Sequence, residues 1–349
     1  MDPGRDTVPL TAVASAGRVQ ALATEAGFDL CGFARPEPIP APVLLDWLAA
    51  GMAADMDWLA ERAADRLDPR RLLPGARTVV ALACNYWTEP GPAASSPIAR
   101  YARGRDYHAT LRDRLRTFRR LLRLEWPGLE TYGSVDHGPF MEKVWAARAG
   151  LGVIARNGCL VTPRFGSWVL LAVLLVELEL DSYADGPPVD RCGSCRLCVD
   201  ACPTDALDGE GRVDARACLS YQTIENEGPV PLGHREAMAT HVFGCDVCQD
   251  VCPLNAAPLP ASGHRFLPRA VAGLDARALA ALSPEAYAEL VPGTALARAG
   301  YDGLRRNAAY ALGAARDGAA REVLERLAQD PSAVVSDAAR WALARLPPP

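Results

Sequence analysis

Lysine is almost missing from this chain of 349 residues: Lys143 is the single one, so arginine supplies the other 36 of its 37 basic residues. A long apolar run is missing as well. The longest, Trp168 to Val176, covers nine residues and is followed by Glu177 and Glu179, whereas a membrane-spanning helix needs about 20 apolar residues. The run reads instead as a buried strand, being short and rich in β-branched and aliphatic side chains. The opening stretch MDPGRDTVPLTAVASAG mixes charge and proline, where a secretory signal would show a basic start and an unbroken apolar run. The expected location is the cytoplasm. Neither a GxGxxG after a strand nor a GxxxxGK[ST] loop occurs in the first 180 or so residues, which removes the usual sequence support for nicotinamide, flavin or ATP. The formal net charge of −5 argues against a protein wrapped in nucleic acid. The arginine excess points the other way, since guanidinium forks onto phosphate and stacks on bases, although a GC-rich genome accounts for it without any partner.

Cysteine is plentiful and unevenly placed. Eight of the 11 lie between residues 192 and 252, and RCGSCRLCVDACP puts four thiols into eleven positions. A disulfide framework suits small secreted chains and is disfavoured in a reducing compartment. Zinc uses CxxC pairs separated by a loop, but Cys192, Cys195 and Cys198 form a triplet. A cubane iron–sulfur cluster wants one thiolate per iron, and a C-x2-C-x2-C loop wraps three corners. A fourth cysteine three residues on, followed by proline, serves the neighbouring cluster in two-cluster ferredoxins. The second half, CDVCQDVCP, lacks a triplet, and Cys218 upstream is the available replacement. Two [4Fe-4S] clusters are therefore expected, one on Cys192, Cys195, Cys198 and Cys252, the other on Cys202, Cys218, Cys245 and Cys248. Such a pair is an electron wire, and the preceding region must hold its acceptor or act as scaffold.

The rest of the chain falls into recognisable segments. Residues 16 to 60 read as helix, short strand (Leu30 to Ala34) and helix, and Thr78 to Asn85 as a buried strand. Leu111, Leu115, Phe118 and Leu122 recur at helical spacing, giving an amphipathic helix over 108–124 whose other face is basic. Asp136 stands at a strand end before Gly138-Pro139. A carboxyl half buried there would favour its neutral form and could deliver a proton, though an Asp in that context also serves as a turn or helix cap. Beyond Pro260, LRRNAAYALG (304–313) and VSDAARWALA (335–344) superpose at an offset of 31 residues, which suggests stacked helical hairpins of the HEAT kind.

Taken together, CGSCRLCVDACPTDAL, CLSYQTIE, FGCDVCQDVCPLN, SVDHGPFMEKVWAARAGLG, LDPRRLLPGAR and LRRNAAYALG resemble the epoxyqueuosine reductases, in order and over almost the whole chain. The resemblance implies an α+β protein: an N-terminal α/β cobalamin-binding domain (1–181), a ferredoxin-like two-cluster domain (182–260) and C-terminal HEAT-like helices (261–349). It implies reduction of epoxyqueuosine to queuosine in the wobble position of tRNA. Electrons would pass through the clusters to cobalamin, with Asp136 as proton donor. Cobalamin contacts are expected from Asn157, Ser220 and Asp246, with no His motif marking cobalt ligation; the helical repeats, read as a binding surface and not as a stabilising cap, add tRNA contacts from Arg305 and Arg306. An external donor such as flavodoxin or ferredoxin, a monomer and no membrane complete the expectation. His137 departs from the small hydroxyl residue expected after the Asp, and an imidazolium there would favour ionised Asp136. Two other readings stay open: a reductive dehalogenase, which shares both cofactors but typically carries a twin-arginine signal and no repeat tail, and a non-catalytic electron-transfer subunit.

Overall fold

The apolar segments Leu30–Ala34, Thr78–Asn85 and Val169–Val176 pair side by side. In the computed structural model, which describes residues 13–89, 95–186 and 189–348, β1 (Leu30–Ala34), β2 (Thr78–Asn85), β3 (Thr131–Ser134) and β6 (Val169–Val176) form one sheet of order β1-β2-β6-β3. Two short strands, β4 (Val153–Ile154) and β5 (Leu160–Val161), pair separately. Residues 1–12, which carry most of the opening stretch read above, lie outside the described residues.

Each pairing in the four-stranded sheet is antiparallel, with Val80 opposite Leu174 and Tyr132 opposite Leu175. This corrects the α/β expectation for the N-terminal region: with every neighbour in this sheet antiparallel, the arrangement is α+β. The physical reason is that β6 returns between β2 and β3, and no crossover helix is needed between antiparallel neighbours. All eight residues of β2 are buried. Val80, Leu82 and Cys84 face one core with the long helix Tyr107–Glu125 and the helix Ala16–Glu25, while Val79, Ala81 and Ala83 face a second with Trp145 of the helix Glu142–Arg148. Covering both faces explains why the strands read as continuous apolar runs.

The helices Gly300–Ala314 and Ala333–Leu343 pack against each other through Ala308, Ala309, Ala338, Ala339 and Ala342. A Cβ at Gly313 would come within 2.6 Å of Ala342 Cα, so contact this close requires glycine. The same core includes Leu219, Val242 and Phe243 of the cysteine-bearing segment and Ile98 and Ala102 of the N-terminal region. The C-terminal helices therefore fix the segment that walls the cavity described next. Among the described residues, no helix is long and apolar enough to cross a membrane.

Candidate functional site

The strand β3 ends at Ser134, and the chain turns sharply through Val135 to Gly138. Asp136 takes the left-handed conformation with φ of 59°, uncommon for a residue with a side chain though most tolerated by Asn and Asp. A Cβ at Gly138 would lie 2.1 Å from Ser134 Oγ, so the turn admits only glycine there. The turn aims Asp136 into a cavity of about 800 Å³, walled by Tyr101, Tyr107, His108 and His137 on one side and by Ser220, Tyr221, Ile224 and Phe243 on the other. A smaller cavity of about 250 Å³ shares Tyr101, Tyr107 and Lys143 with it and reaches Cys159.

The long helix starts here because Asp106 caps it, its carboxylate accepting from the His108 backbone N–H at 3.0 Å. The same oxygen lies 2.8 Å from His108 Nδ1, and His108 Nε2 lies 2.8 Å from Asp136 Oδ2. Tyr107 Oη donates to that Oδ2 at 2.9 Å, and its ring stacks on His108 at 3.9 Å between centroids. Desolvation pushes the Asp136 carboxyl up, but hydrogen bonds from His108 and Tyr107 and the nearby imidazoles outweigh it and hold the group below the usual carboxylate range. Against the expectation of a carboxyl kept neutral by burial, these partners favour the ionised form of Asp136. For His108 desolvation disfavours the charge, yet Asp106 and Asp136 together raise it to about 9. Glu142 is the neutral carboxyl of the neighbourhood, pushed up to about 8 by burial.

The eight clustered thiols gather in two groups. Cys192, Cys195, Cys198 and Cys252 line one cavity of about 230 Å³ with Ala155, Asn157 and Leu254. Cys218 and Cys245 lie within electrostatic reach of Cys202, and Cys248 within reach of Cys218 and Cys245. Burial raises the Cys218 thiol and pushes Cys245 to about 12, so without a cation these sulfurs keep their protons. Iron in their midst reverses that, because a coordinating thiol is deprotonated outright, and two sets of four thiols fit two cubane clusters.

Of the residues expected to meet cobalamin, Ser220 lines the large cavity, whereas Asn157 lines the cavity of the first thiol group and Asp246 a separate one with Arg100, Arg103 and Cys245. Asn157 is buried, accepting from Cys159 N–H at 3.1 Å and donating to the Cys248 carbonyl at 3.2 Å. Asp246 accepts from the Arg100 backbone N–H at 2.7 Å, with the Arg100 guanidinium 3.5 Å away. Arg305 and Arg306 are 6% and 1% exposed, which corrects their expected role as tRNA contacts. Arg305 is paired with Asp302 and Asp330. Arg306 donates to the carbonyls of Gln222, Asn226 and Gly228, so neither has a fork to offer a phosphate. Tyr101, Tyr107, His108 and Lys143 were missed as site residues. The available signals were that Lys143 is the single lysine and His108 one of five histidines.

With this geometry in hand, the chain can be set beside known proteins. A family model described as 4Fe-4S double cluster binding domain matches residues 191–255, and one described as Epoxyqueuosine reductase QueG, DUF1730 matches 66–137. An epoxyqueuosine reductase of Gloeobacter violaceus is 40% identical over 323 residues, covering 88% of this chain and 98% of the relative. One from Xanthomonas campestris pv. campestris is 34% identical over 344 residues, covering 95% and 96%. Among solved structures, a crystal structure of epoxyqueuosine reductase with a tRNA-TYR epoxyqueuosine-modified tRNA stem loop superposes with a TM-score of 0.86 at 29% identity, covering 94% of this chain and 89% of that one. The epoxyqueuosine reductase of Streptococcus thermophilus superposes at 0.78 with 27% identity and the same coverage.

Proposed function

The chain belongs to the epoxyqueuosine reductase family and is an oxidoreductase, and from that premise we propose that it reduces epoxyqueuosine to queuosine in the wobble position of tRNA. The observation that carries this reading is the place of Asp136, in a large cavity walled jointly by the N-terminal region and the cysteine-bearing segment. We assign Cys192, Cys195, Cys198 and Cys252 to one [4Fe-4S] cluster and Cys202, Cys218, Cys245 and Cys248 to the other. The chain divides at about residues 181 and 260, with the C-terminal helices a HEAT-like pair. It works as a cytoplasmic monomer fed by an external donor of the flavodoxin or ferredoxin type.

Cobalamin is the implied cofactor of the large cavity, and the residues there suit it. About 800 Å³ lies high in the range of roughly 300–1,000 Å³ common for ligand sites, and the walls combine the aromatic faces of Tyr101, Tyr107, Tyr221 and Phe243 with polar groups such as Ser220 and Lys143. When bound, the cofactor supplies electron chemistry that no side chain offers. The chain's own residues do the rest. Lys143 Nζ donates to the Gly158 carbonyl at 2.7 Å and ties the helix Glu142–Arg148 to the loop after β4. An anticodon loop offers unpaired bases that stack on aromatics, and Trp58, 42% exposed at the cavity, with Tyr221 beside it, provides faces for them.

Epoxide reduction leaves charge on oxygen, and a positioned acid that neutralises it contributes roughly 10²- to 10⁴-fold in rate. Asp136 is that group. Asp136→Asn keeps the shape of the turn and removes the carboxylate through which a proton passes, so it should retain both clusters and cobalamin yet lose turnover of an epoxyqueuosine-containing stem loop. Near-normal turnover would remove Asp136 from the reaction.

A further inference from the structure

The donor assigned to the reaction carries no proton in this geometry. Asp136 is held in its ionised form by the two bonds that end on Oδ2. Its neighbour His108 has a carboxylate oxygen 2.8 Å from each ring nitrogen, Asp106 at Nδ1 and Asp136 at Nε2. A neutral imidazole has one N–H and one lone pair, so with both carboxylates ionised it can satisfy only one of these acceptors and would set its lone pair against the other. The imidazolium satisfies both. The ring is 17% exposed and Asp136 60%, so water reaches the carboxylate more readily than it reaches the ring nitrogens.

We infer that the proton delivered through Asp136 is stored on His108, so that the acid of this site is the array Asp106–His108–Asp136 rather than an isolated carboxyl. The inference rests on the reading of Asp136 given above. Asp106, with His108 donating to it, stays ionised and holds the ring in place, its second duty beside capping the helix. His108 is thus the proton-holding and positioning residue, and Asp136 the one that touches substrate. Turning an epoxide into an alkene and water consumes two electrons, drawn from the clusters and their donor, and two protons. In the first transfer the Nε2 proton passes to Asp136 Oδ2, and the carboxyl so formed gives that proton to the departing oxygen, leaving neutral His108 and ionised Asp136. The second proton comes from solvent after His108 is reprotonated. Other charged or titratable groups bear on the pair as well: His137 at 4.4 Å from the His108 ring, Tyr107 on its face, and Arg66, Glu142 and Arg298 through their fields on Asp136. The proton is withdrawn as pH rises through about 9, so the wild-type rate should fall there.

The test uses holoprotein with oxidised clusters and cob(III)alamin, labelled with ¹⁵N-histidine, the His108 signals being those lost in His108→Gln. Long-range ¹H–¹⁵N spectra at pH 7.5 should show both His108 nitrogens protonated; a neutral ring with one proton overturns the inference. In single-turnover reduction of an epoxyqueuosine stem loop, His108→Gln leaves Asp136 with only its own proton, so the alkaline fall should move from near pH 9 to about pH 4–5, where an ordinary carboxyl titrates. At pH 7.5 the rate constant should drop about 10²- to 10³-fold with stem-loop affinity within about twofold. An alkaline limb that stays where it was overturns the inference, and if the variant is inactive or unfolded at every pH the wild-type spectra decide alone. Asp136→Asn separates the two claims. An active Asp136→Asn enzyme defeats the reading of Asp136 and this inference together, whereas an inactive one beside an unshifted His108→Gln profile defeats the inference only.

Discussion

Replacing Arg306 by Met asks whether this arginine serves the fold or a phosphate. Met fills similar space but cannot donate, so the carbonyls of Gln222, Asn226 and Gly228 lose their partner. Each buried acceptor left bare costs about 1–3 kcal/mol. The Gln222 bond is buried and the other two partly so, which allows water to recover some of the loss, and roughly 3 kcal/mol is the expected total. Unfolding entropy of about 2.1 cal/mol/K per residue over 349 residues turns that into a fall of about 4 °C in Tm for a chain that melts as one unit. Differential scanning fluorimetry of anaerobic holoprotein measures it. The companion measurement is stem-loop affinity against salt, where loss of one phosphate contact would lower the slope of log K against log salt by about one. We expect a lower Tm and an unchanged slope. An unchanged Tm with a slope reduced by about one would refute the argument and return Arg306 to the RNA interface.

Two further outcomes follow from the site. His108 is raised from 6.5 to about 9 in the folded chain, a difference worth roughly 3 kcal/mol. That stability is fully present below pH 6.5 and lost as pH climbs through about 9, so Tm should decline over that window and the decline should flatten in Asp106→Asn, as thermal melts at stepped pH would show. Cys218→Ala should cost one cluster only, read by Mössbauer spectroscopy and iron analysis; two intact clusters would reassign that ligand.

Local order was the legible part of this fold. Thr78 to Asn85 could be delimited from sequence because a strand covered on both faces is a continuous apolar run, and the basic amphipathic helix extended one residue past its expected limits at each end. Strand order was not legible: β6 enters between β2 and β3, and nothing in a period-two pattern states which neighbour a strand will choose. The same limit governed the site. The eight thiols announced themselves by spacing, whereas Arg306 owes its burial to carbonyls about 80 residues away. From the sequence alone, an arginine clamping a distant loop looks like one facing water. His108 was invisible for a related reason, since its meaning comes from Asp136, 28 residues on and brought to it by the turn after β3.

The central claim is most directly tested by mass spectrometry of an epoxyqueuosine stem loop incubated without oxygen with the cluster-loaded, cobalamin-loaded protein and a low-potential reductant. The account predicts that the modified nucleoside loses the mass of one oxygen atom and co-elutes with queuosine. A nucleoside unchanged in mass, in the presence of protein shown to hold both clusters and the cofactor, would contradict it.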